Sequence, residues 1–325
     1  MKCYKLTGHS SPALKLETVA ASAPGAGQVA IAIKAVSLNY RDLIVTEHAK
    51  DSVPVSDGAG VIVEVGEGVT DYQVGDRVVI GFMPDWVEGS YSEAKKASSL
   101  GGPGVDGVLT ERFIVSTSGI CRIPDSLSFE EAATLPCAAV TAWSALFEHG
   151  TLAPGSTVLL QGTGGVSIFA LQMAKLAGCR VIITSSSDEK LARARELGAD
   201  ETINYRKTPE WADEVLKLTN GQGVDLAVDV TGPATLNLTT RATRFGGRIS
   251  LIGVLSGYNG TIDLGILEKR ITLQGIYVGP VSTLEKVVRS GITPYVDQVF
   301  TFEEAELAYQ TLKGSQHFGK VVIRF

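Results

Sequence analysis

An apolar run that enters a glycine-rich turn and leaves it as a helix constrains this chain more than any other stretch. The run Thr157–Gln161 is followed by the turn Gly162-Thr163-Gly164-Gly165-Val166. Gly162 can make a tight turn, and Gly164 lets the backbone approach a phosphate without an intervening Cβ. The N–H groups of the following helix would then point at the anion. Ser167 stands where such a turn usually has a third glycine, so an ordinary strand-to-helix turn is the alternative.

The next residues complete a strand–helix–strand unit. Apolar residues at helical spacing (Val166, Phe169, Met173 and Leu176) end at Gly178, and the strand-like run Arg180–Thr184 follows. The alternation of helices and strands continues over residues 188–197, 202–205, 211–218, 224–230, 234–244, 248–252 and 271–278. This alternation predicts an α/β fold with a doubly wound parallel Rossmann sheet, whose ligand lies at the carboxyl ends of the strands.

Length and charge limit the classes of protein to which the chain can belong. Its 325 residues, 44% of them hydrophobic, can fill two domain cores. A formal net charge of −6 disfavours nucleic acid as a partner. The residues after Met1 lack the apolar core of a signal peptide, and no run approaches the roughly 18 apolar residues of a membrane span. We therefore expect no membrane association and a cytoplasmic location.

The four cysteines carry no recognisable framework. They lie at positions 3, 121, 137 and 179, without a C-x-x-C pair. This spacing indicates neither a disulfide scaffold nor a structural zinc site, and small buried apolar residues are the simplest interpretation of most of them.

The sequence before Arg122 has a different texture. Residues 29–35 alternate between apolar and smaller residues, residues 58–69 are β-rich and punctuated by glycine, and Val74–Val78 is typical of a tight turn into a strand. We expect an antiparallel, barrel-like domain here. The polar segment between Phe82 and Val108 indicates a long surface loop, either a functional lid or a disordered insertion. The strand-like run Gly319–Phe325 is expected to return to this first domain.

In this order, six motifs resemble the medium-chain dehydrogenase/reductase superfamily, in particular its zinc-free branch similar to quinone oxidoreductases and alcohol dehydrogenases. Besides the Gly162 turn, they are Asn39-Tyr-Arg-Asp42, Asp57-Gly-Ala-Gly60, Val74-Gly-Asp-Arg-Val78, Ala132 through Trp143, and His317-Phe-Gly-Lys320. The resemblance implies a GroES-like β-barrel catalytic domain over residues 1–121 and 282–325 and a Rossmann domain over residues 122–281. It also implies a small-molecule substrate in the cleft between the domains, and a homodimer joined through the last Rossmann strands.

The zinc-dependent relatives differ from this chain at their metal ligands. By resemblance, Asn39 occupies the position of a ligating cysteine, Ser56 that of a histidine and Asp57 that of a glutamate, while Cys137 matches the third ligand. One thiol with an amide and a hydroxyl is a poor ligand set for zinc. The four-cysteine lobe that holds structural zinc in those relatives is also missing. We therefore expect no metal and regard Cys137 as a packing residue.

The end of the second Rossmann strand favours NADPH over NADH. Folds that bind NAD place an acidic residue there, on the ribose 2′-hydroxyl. This chain has Ser185-Ser186-Ser187-Asp188-Glu189-Lys190 instead. Hydroxyls and an ammonium suit a 2′-phosphate, and the resemblance also places Lys190 and Tyr205 around that group.

Two features of this run leave alternatives open. Asp188 could still meet a ribose hydroxyl, which would favour NADH. Ser186 and Glu189 could form a capping box at the start of the next helix, a role that does not conflict with phosphate binding.

Hydride transfer to an acceptor without a metal requires an acceptor that is already activated, such as a quinone or an α,β-unsaturated carbonyl compound. Asn39 is the candidate for a hydrogen bond to the substrate oxygen or the nicotinamide, with Tyr40 and Asp42 behind it. Asp42 could equally serve as a loop anchor. His48 is a further candidate for a proton donor.

The resemblance implies additional residues around the nicotinamide. Their common feature is a place at the end of a strand, at a helix start or in the final motif. They are Thr141, Gly253, Val254, Tyr277, Val278, Phe318 and Lys320. For Thr141, a hydroxyl bonded back to its own helix is the structural alternative.

Two other functions stay open at this point. The chain could be a zinc-dependent alcohol dehydrogenase, which stoichiometric metal would indicate. It could also be a nucleotide-binding module without turnover, because a fold that keeps a cofactor pocket does not by itself imply catalysis.

Overall fold

Two large β-sheets of different construction organise the chain, and residues 2–6 and 14–18 pair in a third, two-stranded sheet. The computed structural model describes residues 1–8 and 14–325. The chain divides into a first unit, Met1–Val140 with Gly279–Phe325, and a second unit, Thr141–Val278. Within the described residues, no helix combines the length and the apolar character needed to cross a membrane.

Fifteen strands and eleven α-helices make up the regular structure of the described residues. The strands are β1 Lys2–Leu6, β2 Leu14–Thr18, β3 Gln28–Leu38, β4 Asp57–Val65, β5 Arg77–Ile80, β6 Arg112–Ser116, β7 Ile120–Arg122, β8 Thr157–Gln161, β9 Arg180–Ser185, β10 Glu201–Asn204, β11 Val224–Asp229, β12 Thr243–Leu251, β13 Thr272–Gly275, β14 Val296–Thr301 and β15 Lys320–Arg324. The helices are α1 Tyr40–His48, α2 Glu93–Lys96, α3 Phe129–Ala133, α4 Val140–Trp143, α5 Gly165–Leu176, α6 Asp188–Glu196, α7 Trp211–Leu218, α8 Leu236–Ala242, α9 Gly265–Glu268, α10 Val281–Arg289 and α11 Ala305–Lys313. Two π-helical segments, Leu135–Ala139 and Ser144–Glu148, flank α4.

The sheet of the second unit is parallel throughout. Its six strands run in the order β10-β9-β8-β11-β12-β13. The central strands β8 and β9 are almost entirely buried, as strands covered on both faces must be. The doubly wound α/β prediction is confirmed. The sixth strand is shorter than the predicted 271–278. Leu176, the last of the apolar residues at helical spacing, is the final residue of α5 and is 69% exposed.

The main sheet of the first unit is largely antiparallel. Its path is β14-β15-β3-β4-β5-β7, and β6 pairs with β3 away from that path. The strand β3 is 11 residues long and pairs with three neighbours: β4 along most of its length, β6 at its first residues and β15 at its last. Register shifts at Ala30/Ile31 and Ile33/Ala35 interrupt its pairing with β4. Gly60 of β4 is required by this pairing, since a Cβ there would lie 2.1 Å from the Ala32 carbonyl oxygen. The expected GroES-like barrel is confirmed.

The strand β15 completes this sheet from far along the chain. It lies between β14 and β3, parallel to the first and antiparallel to the second. Three of its residues, Val321, Val322 and Ile323, are at most 1% exposed. The expected return of the C-terminal segment to the first domain is therefore confirmed.

The first unit extends beyond the boundary predicted after residue 121. Helix α3 and the π-helical segment Leu135–Ala139 pack on β3 and β4, which binds residues through Val140 to the first unit. At the other end the unit resumes at Gly279 rather than at residue 282. There the Val281 N–H donates to the Trp86 carbonyl oxygen at 2.8 Å.

The polar segment between Phe82 and Val108 is folded onto the first unit. Phe82, Met83 and Trp86 are at least nine-tenths buried. The Trp86 indole N–H donates to the Gly89 carbonyl oxygen at 2.8 Å, and its ring packs on Tyr91 at a centroid distance of 5.0 Å. These buried apolar side chains hold the otherwise polar segment in place.

Candidate active site

The glycine turn of the second unit joins β8 to α5. Gly162 has a φ of +71°, a conformation that glycine adopts without steric cost, while α5 begins at Gly165 with Gly164 as its N-cap. The hydroxyl of Ser167 is buried and donates to the Gln161 carbonyl oxygen at 2.6 Å. Ser167 therefore replaces the missing third glycine without leaving a polar group unsatisfied.

Gly164 tests whether a dinucleotide fits this turn. Its φ of −81° suits any residue, and a Cβ built on it would have no atom within 4 Å. The fold therefore does not require glycine at this position, whereas a closely approaching ligand does. Gly253 is the opposite case, because a Cβ there would lie 1.4 Å from the Val230 carbonyl oxygen. The turn and the N-terminus of α5 fit the pyrophosphate of a nicotinamide dinucleotide.

The serine run lies where β9 ends and α6 begins. Ser185 is 3% exposed at the end of β9, and Ser186 and Lys190 are half-buried. The predicted capping box of Ser186 with Glu189 is wrong by one residue. Ser187 is the N-cap, and its hydroxyl accepts from the Lys190 N–H at 3.3 Å.

Asp188, which could have contacted a ribose, has two partners within the protein. Its Oδ1 accepts from Asn204 Nδ2 at 2.7 Å, and its Oδ2 pairs with the Lys207 ammonium. These hydrogen bonds, that of Lys207 first, lower the pKa of Asp188. Tyr205, 42% exposed, follows β10 beside them. Sequence reasoning missed Lys207, and the basic pair Arg206-Lys207 directly after a predicted strand was the available signal.

A buried polar network at the ends of β8 and β11 was also missed. Asp229, 0% exposed, accepts from the backbone N–H groups of Thr231 at 3.0 Å and Gly232 at 2.8 Å. Its other oxygen accepts from Gln161 Nε2 at 3.2 Å and Thr239 Oγ1 at 2.7 Å. The network links the residue before Gly162 to the loop after β11, so it braces the carboxyl edge of the sheet.

The other predicted residues of the second unit lie at the ends of its elements. Thr141 is buried in α4, Gly253 and Val254 follow β12, and Tyr277 is 44% exposed after β13. Val278 has a φ of +54°, which is strained for a β-branched residue.

In the first unit, Asn39 and Asp42 form the start of α1. Asn39 is the N-cap, and its backbone N–H donates to Asp42 Oδ2 at 2.7 Å. Asp42 is 1% exposed, and desolvation by burial raises its pKa to about 6, although Arg41 opposes the shift. Tyr40 is 43% exposed, and His48 ends the helix as an exposed residue. This hydrogen bond anchors the start of α1, which is the alternative role considered for Asp42.

Lys320 brings the final motif onto Asn39. Its ammonium, on a residue 3% exposed, donates to Asn39 Oδ1 at 2.6 Å and to the Leu38 carbonyl oxygen at 2.7 Å. Burial lowers the pKa of Lys320, and the carboxylate of Asp57 opposes that shift. Phe318 is fully buried and packs edge-on against Tyr295 at 5.1 Å between ring centroids.

Asp57, which is fully buried, and Cys137, which is partly exposed, complete this cluster. Asp57 Oδ1 accepts from Ser56 Oγ at 2.6 Å, and Oδ2 accepts from the Cys137 backbone N–H at 3.0 Å. Burial raises the pKa of Asp57, while Lys320 and hydrogen bonds from Ser56 and Asn39 oppose the rise. Burial and the neighbouring carboxylate of Asp57 both raise the pKa of the Cys137 thiol.

The predicted residues thus form three groups. Asn39, Asp42 and Lys320 are in contact in the first unit, the Gly162 turn lies at the end of β8, and the serine run lies at the end of β9. These arrangements can bind a dinucleotide phosphate and present a polarised amide.

Comparison with known proteins agrees with this division of the chain. Residues 25–125 match the alcohol dehydrogenase GroES-like domain family, and residues 165–291 match the zinc-binding dehydrogenase family. The zinc-type alcohol dehydrogenase-like protein C1773.06c of Schizosaccharomyces pombe is 43% identical over 316 residues, which cover 92% of this chain and 91% of the relative. This chain belongs to the medium-chain dehydrogenase/reductase superfamily. The resemblance to this superfamily seen in the sequence is confirmed.

Two further members of the superfamily cover the whole chain. The crystal structure of an NAD-dependent alcohol dehydrogenase superposes with a TM-score of 0.91 at 33% identity, covering 100% of both chains. The acryloyl-coenzyme A reductase of Metallosphaera sedula is 29% identical over 343 residues, 99% of this chain and 99% of the relative. The chain is an NAD(P)-dependent oxidoreductase of the alcohol dehydrogenase-like type.

Proposed function

We propose that this superfamily member is an NADPH-dependent, zinc-independent reductase of activated carbonyl compounds, either quinones or α,β-unsaturated carbonyls. The observation that carries the proposal is the ammonium of Lys320, which is hydrogen-bonded to Asn39 inside the cluster where zinc-dependent relatives hold their metal.

The donor groups of the cluster are unsuited to zinc. Asn39 Oδ1 is engaged by an ammonium, and the Ser56 hydroxyl donates to Asp57. Zinc sites are formed by thiolate, imidazole and carboxylate ligands, and a dication beside the Lys320 ammonium would be repelled. Across residues 1–8 and 14–325, no three His, Cys, Asp or Glu side chains are grouped closely enough to share a metal ion.

An acceptor with its own electrophilic carbon suits such a site. The bound nicotinamide cofactor supplies the hydride. Asn39 can donate an N–H group to the acceptor oxygen as negative charge develops on it. The relative from Metallosphaera sedula is named for an acceptor of this kind, an acryloyl thioester. Asp42, which fixes the N-cap, supports the position of Asn39, and Tyr40 is exposed beside it at the start of α1.

The groups around the end of β9 favour NADPH. Ser185 and Ser186 supply hydroxyls, and Lys190, Tyr205 and Lys207 supply donors to a 2′-phosphate. The carboxylate of Asp188 is already compensated by Lys207 and Asn204, which reduces its repulsion of the phosphate.

We extend the proposal to a homodimer in the cytoplasm. The strand β13 is an edge of the Rossmann sheet, and several large apolar residues near it in sequence are exposed: Phe245 64%, Tyr258 76%, Leu264 71% and Leu267 70%. A second copy could cover this surface. All four cysteines are free thiols, as a reducing compartment maintains them.

The test is the oxidation of NADPH and NADH by a quinone, an enone and an aldehyde, each with and without a metal chelator. We expect NADPH-preferring turnover of the quinone or enone that survives chelation. Turnover of the aldehyde alone, abolished by the chelator, would establish a zinc-dependent alcohol dehydrogenase instead. Tight NADPH binding without any turnover would indicate a nucleotide-binding module.

A further inference from the structure

We infer that Lys320 is a positioning residue that orients and polarises the side-chain amide of Asn39, so that Asn39 acts as a strong hydrogen-bond donor where relatives use a metal. The inference rests on the proposed function for its catalytic consequence. Its structural part concerns only the first unit and can be tested without turnover.

Lys320 fixes the orientation of the Asn39 side-chain amide. The oxygen and nitrogen ends of an asparagine side chain have the same shape, so neighbouring groups decide which end points where. An ammonium is a donor only. Because Lys320 Nζ lies 2.6 Å from the Asn39 side chain, the carbonyl end must face the lysine. The N–H groups are therefore the end that Asn39 offers elsewhere.

The Lys320 side chain is itself held rigidly. The residue begins β15, and its ammonium is also held by the Leu38 carbonyl oxygen at 2.7 Å. Gly319 before it has a φ of +80°, and a Cβ there would lie 2.6 Å from the Tyr295 carbonyl oxygen. A side chain held by its strand, by this close packing and by two acceptors has little freedom to release Asn39.

The ammonium of Lys320 also polarises the Asn39 amide. A cation on the carbonyl oxygen of an amide draws electron density from its nitrogen and strengthens its N–H groups as donors. The recorded contact of Asn39 Nδ2 with the Ser37 carbonyl oxygen is long, at 3.5 Å, so an acceptor oxygen can compete for that hydrogen. The low-dielectric surroundings of Asn39, which is 8% exposed, strengthen the effect.

The counter-charge of Asp57 explains how a buried ammonium is tolerated. Asp57 is 0% exposed, it favours the charged form of Lys320, and Asn39 stands between the two as a shared hydrogen-bonding partner. Lys320 itself has no role in touching the acceptor. It acts through Asn39.

The test compares Lys320→Met with Lys269→Met. Lys269 is a matched control, because its ammonium also donates to backbone carbonyls, those of Thr240, Arg241 and Thr243, but it caps α8 in the second unit. For Lys320→Met we expect kcat to fall about 100-fold, the effect of losing one preorganised donor, with the Kd for NADPH unchanged. Lys269→Met should lower Tm and leave kcat unchanged.

Three further measurements separate positioning from folding. Lys320→Arg should recover part of the lost kcat, since it restores a donor-only cation. Asn39→Asp keeps an oxygen for Lys320 and removes the N–H groups, so it should reproduce the loss of kcat. In an Asn39→Ala background, Lys320→Met should cost no additional kcat.

Nuclear magnetic resonance of the Asn39 side-chain amide provides the readout that does not need turnover. Its proton resonances should move upfield in Lys320→Met and stay in place in Lys269→Met. Unchanged resonances would overturn the inference even if the enzyme is active. Independent losses of kcat from Asn39→Ala and Lys320→Met would overturn it as well. An inactive wild type that shows the resonance shift would instead reject the proposed function alone.

Discussion

Each unit contains a carboxylate that is 0% exposed, Asp229 in the second and Asp57 in the first, and the two are satisfied in different ways. Asp229 of the second unit, 0% exposed, is surrounded by neutral donors, among them two backbone N–H groups at 2.8 and 3.0 Å. Asp57 of the first unit, also 0% exposed, has the Ser56 hydroxyl and the Cys137 N–H, and it balances the charge of Lys320.

The difference distinguishes a carboxylate with a structural role from a carboxylate beside a candidate reacting group. The neutral donors around Asp229 belong to the fold itself. Their hydrogen bonds fix the turn after β11 and the end of β8. A carboxylate that shares its surroundings with a buried cation stays sensitive to every charge nearby, because unlike charges interact strongly where water is excluded. The first arrangement suits a rigid cofactor platform, and the second suits a reacting site.

The largest effect is expected from Asp229→Ala. The substitution leaves the N–H groups of Thr231 and Gly232 and the Gln161 amide buried without their acceptor, each at about 1–3 kcal/mol, so we expect a loss of about 4 kcal/mol. Urea unfolding measures it. Asp213→Ala, which breaks an exposed pair with Arg241, is the control and should cost less than about 1 kcal/mol. Equal losses would mean that the buried Asp229 braces the sheet no more than an exposed ion pair does.

Asp42→Asn should flatten the pH dependence of stability. Burial raises the pKa of Asp42 from 3.8 to about 6, so the folded protein favours the protonated acid. The stability that this group contributes is complete below about pH 4 and is lost as the pH rises through about 6, a change of about 3 kcal/mol. Asparagine stays neutral and its carbonyl can still accept from Asn39. The free energy of unfolding from pH 4 to 7 tests this, and a parallel loss in the variant would contradict it.

Gly164→Ala should separate ligand binding from folding. A Cβ at this position meets open space, so the free energy of unfolding should fall by no more than about 1 kcal/mol, the cost of alanine in place of glycine at an N-cap. The same methyl group would stand in the way of the pyrophosphate, and we expect the Kd for NADPH to rise about 30-fold, or about 2 kcal/mol. Gly275→Ala, which also meets open space, is the control. Unchanged cofactor binding in Gly164→Ala would mean that the turn is not a phosphate cradle.

Lys190→Ala should have the smallest effect and a selective one. Loss of a charged donor to a 2′-phosphate costs about 1.5 kcal/mol, so the Kd for NADPH should rise roughly tenfold while that for NADH stays constant. Lys217→Ala, at an exposed pair with Glu214, is the control. An equal rise for both cofactors would place Lys190 away from the 2′ position.

The sequence predicted what depends on local pattern. The alternation of β8, α5 and β9 and the turn at Gly162 follow from periodicity and glycine, because neighbours in sequence decide them. It did not predict contacts created by sheet register, such as Gln161 with Asp229, 68 residues apart. The helix cap was displaced from Ser186 to Ser187 because three consecutive serines offer equivalent hydroxyls.

The contact between Lys320 and Asn39 could not be predicted from local sequence either. Resemblance predicted the residue near the cofactor, but its contact with Asn39 spans 281 positions and exists only because β15 lies beside β3. No local pattern announces such a pair.

The position of β15 also affects the order of events during synthesis. The ribosome makes β3 to β7 early, yet the sheet they form waits for β15 to fill the place between β3 and β14, and β15 follows the whole second unit in the chain. The Rossmann unit, contiguous from Thr141 to Val278, can form while translation continues. Meanwhile the nascent barrel keeps an unpaired edge on β3 exposed to aggregation and to chaperones.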